Sequence, residues 1–256
     1  MVIGLDKFSE HFKDYQDCYL IIGGSACDII IEGAGFVPRA TMDIDIILMV
    51  EALKPEFVKH FWDFIRAGNY KTREKNQEKR NCYRFAEPET AGYPKQIELF
   101  SKVPDAIDLQ EDAHLTPIPV GEGLSSLSAI LLDEHYYDFT KKHSVYADGV
   151  HRANPEALIC LKAFAYLDNK KRKEADAKIQ GGDITKHKND VFRMVLMLKP
   201  DDAFELPEII KSNVQEFADT VKNDLPDPAI FKTNGFGEQN MATIYQQMVK
   251  IFELNG

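Results

Sequence analysis

The sequence lacks the cysteine spacing and the long apolar runs of disulfide-rich, zinc-binding or membrane-spanning proteins. Its 4 cysteines are scattered with no Cys-x-x-Cys pair, so neither a disulfide framework nor a structural zinc site is indicated. No apolar run approaches the roughly 20 residues that cross a bilayer. Residues 1 to 17 alternate charge with phenylalanine and lack the apolar stretch of a secretory signal. We therefore expect a cytoplasmic protein with no membrane partner.

Positive charge is also scarce. The chain has 31 lysines and arginines against 41 aspartates and glutamates, a net charge of −10. Nonspecific affinity for nucleic acid comes chiefly from cations that face phosphate, so this balance argues against a general duplex-DNA binder. A local basic patch could still bind a polyanion.

Motifs of several common enzyme classes are missing. The sequence has no Gly-Lys-Ser/Thr of a P-loop, and the glycine pairs at 33–35 and 121–123 lack the third glycine of a dinucleotide fingerprint. Cys27 stands where the hydrolase motif Gly-x-Ser-x-Gly needs its last glycine. P-loop enzymes, dinucleotide-dependent dehydrogenases and nucleophile-elbow hydrolases are therefore excluded.

What is present is the composition of an ordinary folded protein, with 256 residues, 44% hydrophobic and 28% charged. Hydrophobic spacing predicts helices over residues 5–15, 26–31 and 55–67. Strands are expected at residues 19–22, 44–50, 70–73, 82–85 and 96–100. Residues 1–122 are therefore predicted to form an α+β unit, a mixed sheet flanked by helices.

Residues 123–256 are predicted to be a mainly helical domain. Asn154, Pro155 and Glu156 form a strong helix start, with a capping side chain, a ring-fixed first residue and an acid in the first turn. Further helices are expected over residues 184–198, 206–221 and 241–254, and a strand or hairpin is expected within residues 125–152. The whole chain thus predicts an α+β fold with a helical C-terminal region.

Acidic and apolar residues alternate at one of the predicted strands. On a strand, Asp43 and Asp45 project from one face while Ile44 and Ile46 enter the core. Glu98 sits among apolar residues on a strand that could be its neighbour. Carboxylates held this close repel one another unless a cation lies between them, and ligation by oxygen alone favours Mg²⁺ or Mn²⁺. We therefore expect a divalent metal at Asp43, Asp45 and Glu98.

A candidate phosphate-binding turn precedes these acids. Gly23 and Gly24 let the backbone approach a ligand closely, and Ser25 opens a helix whose free N–H groups favour an anion. Together with the metal ligands, this turn suggests two-metal phosphoryl or nucleotidyl transfer. Taken alone, each part has a plainer explanation, because two acids on a strand can be a solvated pair and Gly-Gly-Ser can be a simple turn.

The order of these parts resembles the polymerase-beta-type nucleotidyltransferase superfamily. Within it, the chain is most similar to the AbiEii-type toxin family, whose members show a Gly-Gly-Ser/Thr-Ala turn and an Arg-x-Thr-x-Asp-x-Asp strand. The matching residues are Gly23, Gly24, Ser25, Ala26, Arg39, Thr41, Asp43 and Asp45. In the helical half they are Leu161, Lys162, Ala163, Lys186, His187 and Asp190.

The resemblance implies an enzyme that moves an NMP from an NTP to a hydroxyl acceptor. Asp43 and Asp45 would ligate both ions, and Glu98 would hold the catalytic ion and assist removal of the acceptor proton. The family also implies the toxin of a toxin–antitoxin pair, with tRNA as a candidate acceptor and an antitoxin protein as a partner.

The resemblance also assigns nucleotide-binding residues. Arg39 and Thr41 join the glycine turn, and Lys162 and Lys186 would touch the triphosphate or orient the base. Asp190 would position Lys162 or contact the nucleotide. A salt bridge between Lys186 and Asp190, four residues apart on one helix, explains that pair equally well.

One departure from the superfamily is the length of the spacer. Seventeen residues, 26 to 42, separate Ser25 from Asp43, against a usual dozen or so. The loop 32–38 is expected to absorb the extra residues. If it instead moves the turn away from the acids, the chain would be a nucleotide-binding module without turnover.

The acceptor has one candidate site. Residues 71–84 contain 6 basic and 2 acidic residues, which in an acidic protein favours contact with RNA or another polyanion. The basic residues are Lys71, Arg73, Lys75, Lys79, Arg80 and Arg84. A solvated hairpin is the plainer alternative, and an enzyme that modifies a small molecule such as an antibiotic would not need the patch.

Overall fold

The computed structural model describes residues 2–71, 82–101, 133–175 and 181–255. The strands are β1 Tyr19–Ile22, β2 Asp43–Leu48, β3 Cys82–Ala86, β4 Gln96–Phe100, β5 Ser144–Ala147 and β6 Val150–Ala153. The helices are α1 Leu5–His11, α2 Gly23–Gly33, α3 Pro55–Gly68, α4 Glu134–Lys142, α5 Pro155–Ala175, α6 Gly181–Val195, α7 Glu208–Val221, α8 Pro228–Thr233 and α9 Met241–Ile251. A 3-10 segment, Lys13–Cys18, connects α1 to β1.

The strands within the described residues form one mixed sheet of six, in the order β3-β4-β2-β1-β6-β5. Strand β1 pairs antiparallel with β2 and parallel with β6. Strand β2 runs parallel to β4, which is antiparallel to β3. This mixed sheet with flanking helices confirms the predicted α+β fold.

The central strands form because their side chains fill the core. All four residues of β1 are buried. On β2, Ile44 and Ile46 are buried while Asp43 and Asp45 are half-buried on the opposite face, as the period of two requires. Burying a large aliphatic side chain stabilises the fold by about 1.5–3 kcal/mol, so this register keeps the two carboxylates on one face.

Helix α3 covers part of the sheet with aromatic residues. Phe57, Phe61, Trp62 and Phe64 are buried along it, and Trp62 and Phe61 both contact Phe85 of β3 with edge-on rings. The helix begins with a proline in its first turn and ends at a residue in the left-handed conformation, close to the predicted bounds. Its aromatic face anchors β3 beside β4.

The helical half packs against α2, the helix that follows β1, through α5. This helix lies along α6 and also contacts α2 and α7. Leu158, Ile159 and Leu161 are almost fully buried on it. Because α2 starts at the glycine turn, the packing of α5 and α6 against α2 brings Lys162 and Asp190 towards β2.

Several boundaries and two helices differ from the sequence predictions. The helix after the glycines starts at Gly23 itself, so the predicted turn is its first turn. Helices α4 and α8 were not predicted; each begins at an aspartate whose side chain accepts from a backbone N–H of the first turn. The predicted strand at 70–73 is described only at its start, where Lys71 forms an isolated bridge with Ala86.

The hairpin β5–β6 joins the sheet of the first half, since β6 pairs with β1. The division into residues 1–122 and 123–256 stays a prediction. Within the described ranges, no helix is both long enough and apolar enough to cross a membrane.

Candidate nucleotide-binding site

Strand register brings two of the predicted metal ligands together. Asp45 on β2 is the direct partner of Glu98 on β4, and Asp43 is the partner of Gln96. Residues opposite each other on paired strands project from the same face of a sheet. The structure therefore places Asp45 beside Glu98, with Asp43 two residues away on the same face of β2.

The Asp45 carboxyl group is strongly perturbed by this arrangement. Burial and then the neighbouring Glu98 raise the pKa of Asp45 to about 7, and Asp43 adds to the effect. Lys162 and Lys186 act in the opposite direction. The carboxylates are thus close enough to repel, and two lysines from the helical half bear on the same group.

Glu98 has its own partner, which the sequence did not predict. Arg84 on β3 is the direct cross-strand neighbour of Glu98. Its Nε donates to Glu98 Oε1 at 2.7 Å, and its Nη2 forms an ion pair with the same oxygen at 2.5 Å. Gln96 Nε2 donates to the same oxygen at 3.1 Å. Finding this pair requires the register of β3 on β4, which no local pattern reveals.

The glycine turn lies directly against Asp45. Gly23 has a φ of 70°, and a Cβ built on it would lie 1.8 Å from Asp45 Oδ2. A Cβ on Gly24 would lie 3.0 Å from both Thr41 Cγ2 and Oγ1. Ser25 is fully buried, and its Oγ has no hydrogen-bond partner within the described structure. The predicted turn and the predicted acids therefore adjoin.

The long spacer between Ser25 and Asp43 does not move the glycine turn away from the acids, because its first part lies in α2 and Asp28 holds the returning chain. Helix α2 extends to Gly33, and the chain then returns so that Asp28 Oδ2 accepts from the Thr41 N–H at 2.6 Å. Asp28 Oδ1 accepts from the Arg39 N–H at 3.3 Å. Sequence reasoning missed Asp28; the available signal was a lone acid in an otherwise apolar helix segment.

Asp190 is the centre of a buried cluster of charges. Its Oδ2 lies 3.3 Å from Lys162 Nζ and 3.5 Å from Arg39 Nη2, and its Oδ1 accepts from Arg193 Nη1 at 3.0 Å. Burial alone would raise the pKa of Asp190, but the cations, Lys162 foremost, hold it below its ordinary value. Asp190 therefore lies within ion-pair distance of Lys162, whereas Lys186 is exposed. The role of Asp190 towards a nucleotide stays a prediction.

Lys162 is only 2% exposed in this cluster. Burial lowers the pKa of Lys162, but Asp190 and further acidic groups more than offset this, so that it lies above its ordinary value. The ammonium group thus bears on Asp45 as well as Asp190. It offers a fixed positive charge next to the carboxylates.

A second contact missed by the sequence fixes the loop that carries Arg39. Val37 exchanges hydrogen bonds with Asn234, its N–H donating to the Asn234 backbone oxygen and its carbonyl accepting from Asn234 Nδ2, both at 3.0 Å. Asn234 Oδ1 accepts from Arg193 Nε at 3.1 Å. Arg193 therefore links this loop to Asp190.

The predicted acceptor patch is only partly within the described residues. Lys71 pairs with Glu87, and Arg84 pairs with Glu98 rather than standing free for an acceptor. The other four predicted residues, Arg73, Lys75, Lys79 and Arg80, lie outside the described residues.

The donor set fits a hard divalent cation at Asp43 and Asp45. Their oxygens are the ligand type that Mg²⁺ and Mn²⁺ prefer, and the missing Cβ of Gly23 leaves room beside Asp45 Oδ2. In the parts of the chain that are described, no three side chains of His, Cys, Asp or Glu form a preassembled metal group.

The chain matches no protein-family model, and no curated protein is significantly similar to it.

Proposed function

We propose that the protein is a metal-dependent nucleotidyltransferase that moves an NMP from an NTP to a hydroxyl acceptor. The observation that carries the proposal is the meeting of Asp45, Glu98 and the Gly23 turn, with Lys162 bearing on the same carboxylate. The start of a helix suits phosphate, and neighbouring carboxylates suit a divalent cation, which are the two groups that a nucleoside triphosphate brings.

Different residues would bind different parts of the nucleotide. The N-terminus of α2 with the buried Ser25 hydroxyl would receive phosphate oxygens, because unpaired helix N–H groups and a hydroxyl donate to anions. Lys162, Lys186 and Arg39 would neutralise the remaining charge. Asp190 would hold Lys162 and Arg39 in place.

The reaction forms a bond between the acceptor oxygen and the α-phosphorus and breaks the bond from that phosphorus to the bridging oxygen. Pyrophosphate leaves, and the acceptor proton passes to a carboxylate of the row, a role that the resemblance gives to Glu98. A bound Mg²⁺ or Mn²⁺, held by Asp43 and Asp45, would neutralise charge that develops on the phosphate.

The acceptor and the setting rest on the resemblance. We propose an RNA, with tRNA as the first candidate, and the toxin role of a toxin–antitoxin pair. Reversing the charge at Lys75, Lys79 and Arg80 would weaken the binding of an RNA acceptor, and the affinity of the wild-type protein for it would depend on salt. If this charge-reversed variant used its acceptor as the wild-type protein does, and if salt had no effect, the small-molecule reaction would be favoured instead.

The test is incubation with each labelled NTP, Mg²⁺ and total RNA. Asp45→Asn should lower incorporation at least a hundredfold. A metal ion that neutralises the charge developing on the phosphate lowers the barrier by several kcal/mol, and each ~1.4 kcal/mol changes the rate about tenfold. Because this substitution removes the repulsion between Asp45 and Glu98, thermal stability should not fall. Asp63→Asn, which loses a surface ion pair with Arg66, is the matched control and should retain activity.

Two outcomes would contradict the proposal. Full activity in Asp45→Asn would remove the carboxylate row from the chemistry. Mg²⁺-dependent NTP binding by the wild-type protein without incorporation into any RNA or small-molecule acceptor would instead support a nucleotide-binding module without turnover.

A further inference from the structure

Three side chains form a row across neighbouring strands at this site. Asp45 on β2 opposes Glu98 on β4, and Glu98 opposes Arg84 on β3. Directly opposed residues share a face of the sheet, so the guanidinium of Arg84 reaches Glu98 from the side opposite to Asp45. The position of Arg84 beside Glu98 follows from the register of β3 on β4.

The contact between Arg84 and Glu98 is close and partly desolvated. Two guanidinium nitrogens reach one carboxylate oxygen at 2.7 and 2.5 Å, within the range of strong charge-assisted hydrogen bonds. The Glu98 side chain is 8% exposed and that of Arg84 31%. Gln96 donates a further hydrogen bond to the same oxygen, so three side-chain nitrogens converge on Oε1.

A cation of the protein already occupies the Glu98 end of the carboxylate row. Arg84 contacts Glu98, and Lys162 and Lys186 act electrostatically on Asp45. A second divalent ion at Glu98 would have to displace Arg84 or lie within a few ångströms of its guanidinium. Like charges at that distance in a partly buried site repel strongly.

We propose that the site takes a single divalent cation, at Asp43 and Asp45, and that Arg84 supplies at Glu98 the positive charge that a second ion would otherwise provide. This inference rests on the proposed function, and it changes the expectation from the resemblance that Glu98 is a metal ligand. Arg84 is then part of the catalytic site and no longer a contact for an RNA acceptor.

The test counts manganese ions by electron paramagnetic resonance during a Mn²⁺ titration. The probes are the four α,β-methylene NTP analogues, which bind without transferring the NMP. The wild-type complex should bind one Mn²⁺ per chain. In Arg84→Met, which removes the guanidinium but keeps an unbranched side chain, the freed Glu98 should accept an ion and the count should rise to two.

The double variant Arg84→Met/Glu98→Gln is the matched control. It lacks both the guanidinium and the carboxylate, so the count should return to one. A count of two in the wild-type complex would overturn the proposal, and this result does not depend on whether a variant folds. A count of one in a folded Arg84→Met would equally overturn it, because Arg84 would then not be excluding an ion.

The proposed function fails in a different manner. If the wild-type protein bound none of the four analogues with Mn²⁺ and transferred no NMP, both ideas would be rejected. If it transferred NMP with two ions bound, the single-ion inference alone would be rejected. Arg84→Lys adds a check, since it keeps the charge and should keep the count at one.

Discussion

Gly23 shows how closely the chemistry at this site depends on one missing side chain. Its φ of 70° and the 1.8 Å that would separate an added Cβ from Asp45 Oδ2 are independent constraints. The first concerns only the backbone, whereas the second concerns the carboxylate that we place at the metal. A substitution can therefore separate fold from function.

Gly23→Ala should abolish Mg²⁺-dependent nucleotide binding, because its methyl group would displace the Asp45 carboxylate. Backbone strain at positive φ should cost about 1–2 kcal/mol of unfolding free energy. Gly237→Ala is the matched control: it has a φ of 73° and nothing within 4 Å of the added Cβ. It should lose only the stability that the backbone strain costs, measured by thermal unfolding, and bind nucleotide normally. Equal binding by both variants would show that Asp45 does not face the nucleotide.

At the scale of elements, the loop between α2 and β2 is held from two sides. Asp28 of α2 binds the backbone N–H groups of Arg39 and Thr41, and Asn234, after α8, binds Val37. Phe36 also packs on Phe236, with ring centroids 4.3 Å apart. A segment far away in sequence thus sets where Arg39 lies.

Asn234→Ala should weaken nucleotide binding by about tenfold, the equivalent of ~1.4 kcal/mol, because Arg193 loses a partner and the loop that carries Arg39 loosens. The measurement is the Kd of an α,β-methylene NTP by calorimetry. Asn213→Ala is the control, since it removes a comparable hydrogen bond, to the Tyr136 hydroxyl at 3.0 Å, away from the site. The account would be contradicted if the control lost as much affinity as Asn234→Ala.

Local patterns predicted the elements whose signals are short-range. The alternation at Asp43 and Asp45 and the apolar run of β1 depend only on neighbouring residues, and both were confirmed. The pairing of Arg84 with Glu98 depends on strand register. The contact between Asn234 and Val37 joins residues 197 apart in the chain. A single sequence carries no signal for either.

At the scale of the molecule, the candidate site needs both halves of the chain. The sheet supplies Asp43, Asp45 and Glu98, and the helical half supplies Lys162 and Asp190. The hairpin β5–β6 also connects the two halves, because β6 pairs with β1. The chain has a net charge of −10, yet Lys162, Arg39 and Arg193 cluster around the Asp190 carboxylate.

The central claim is that the acids of β2 and the glycine turn of α2 bind one nucleotide. The most direct measurement is a crystal structure with Mn²⁺ and an α,β-methylene NTP, with manganese located by its anomalous scattering. The account predicts one manganese peak at about 2 Å from oxygens of Asp43 and Asp45, with phosphates against Gly23, Gly24 and Ser25. A nucleotide bound elsewhere, or a manganese ion with no contact to these carboxylates, would contradict it.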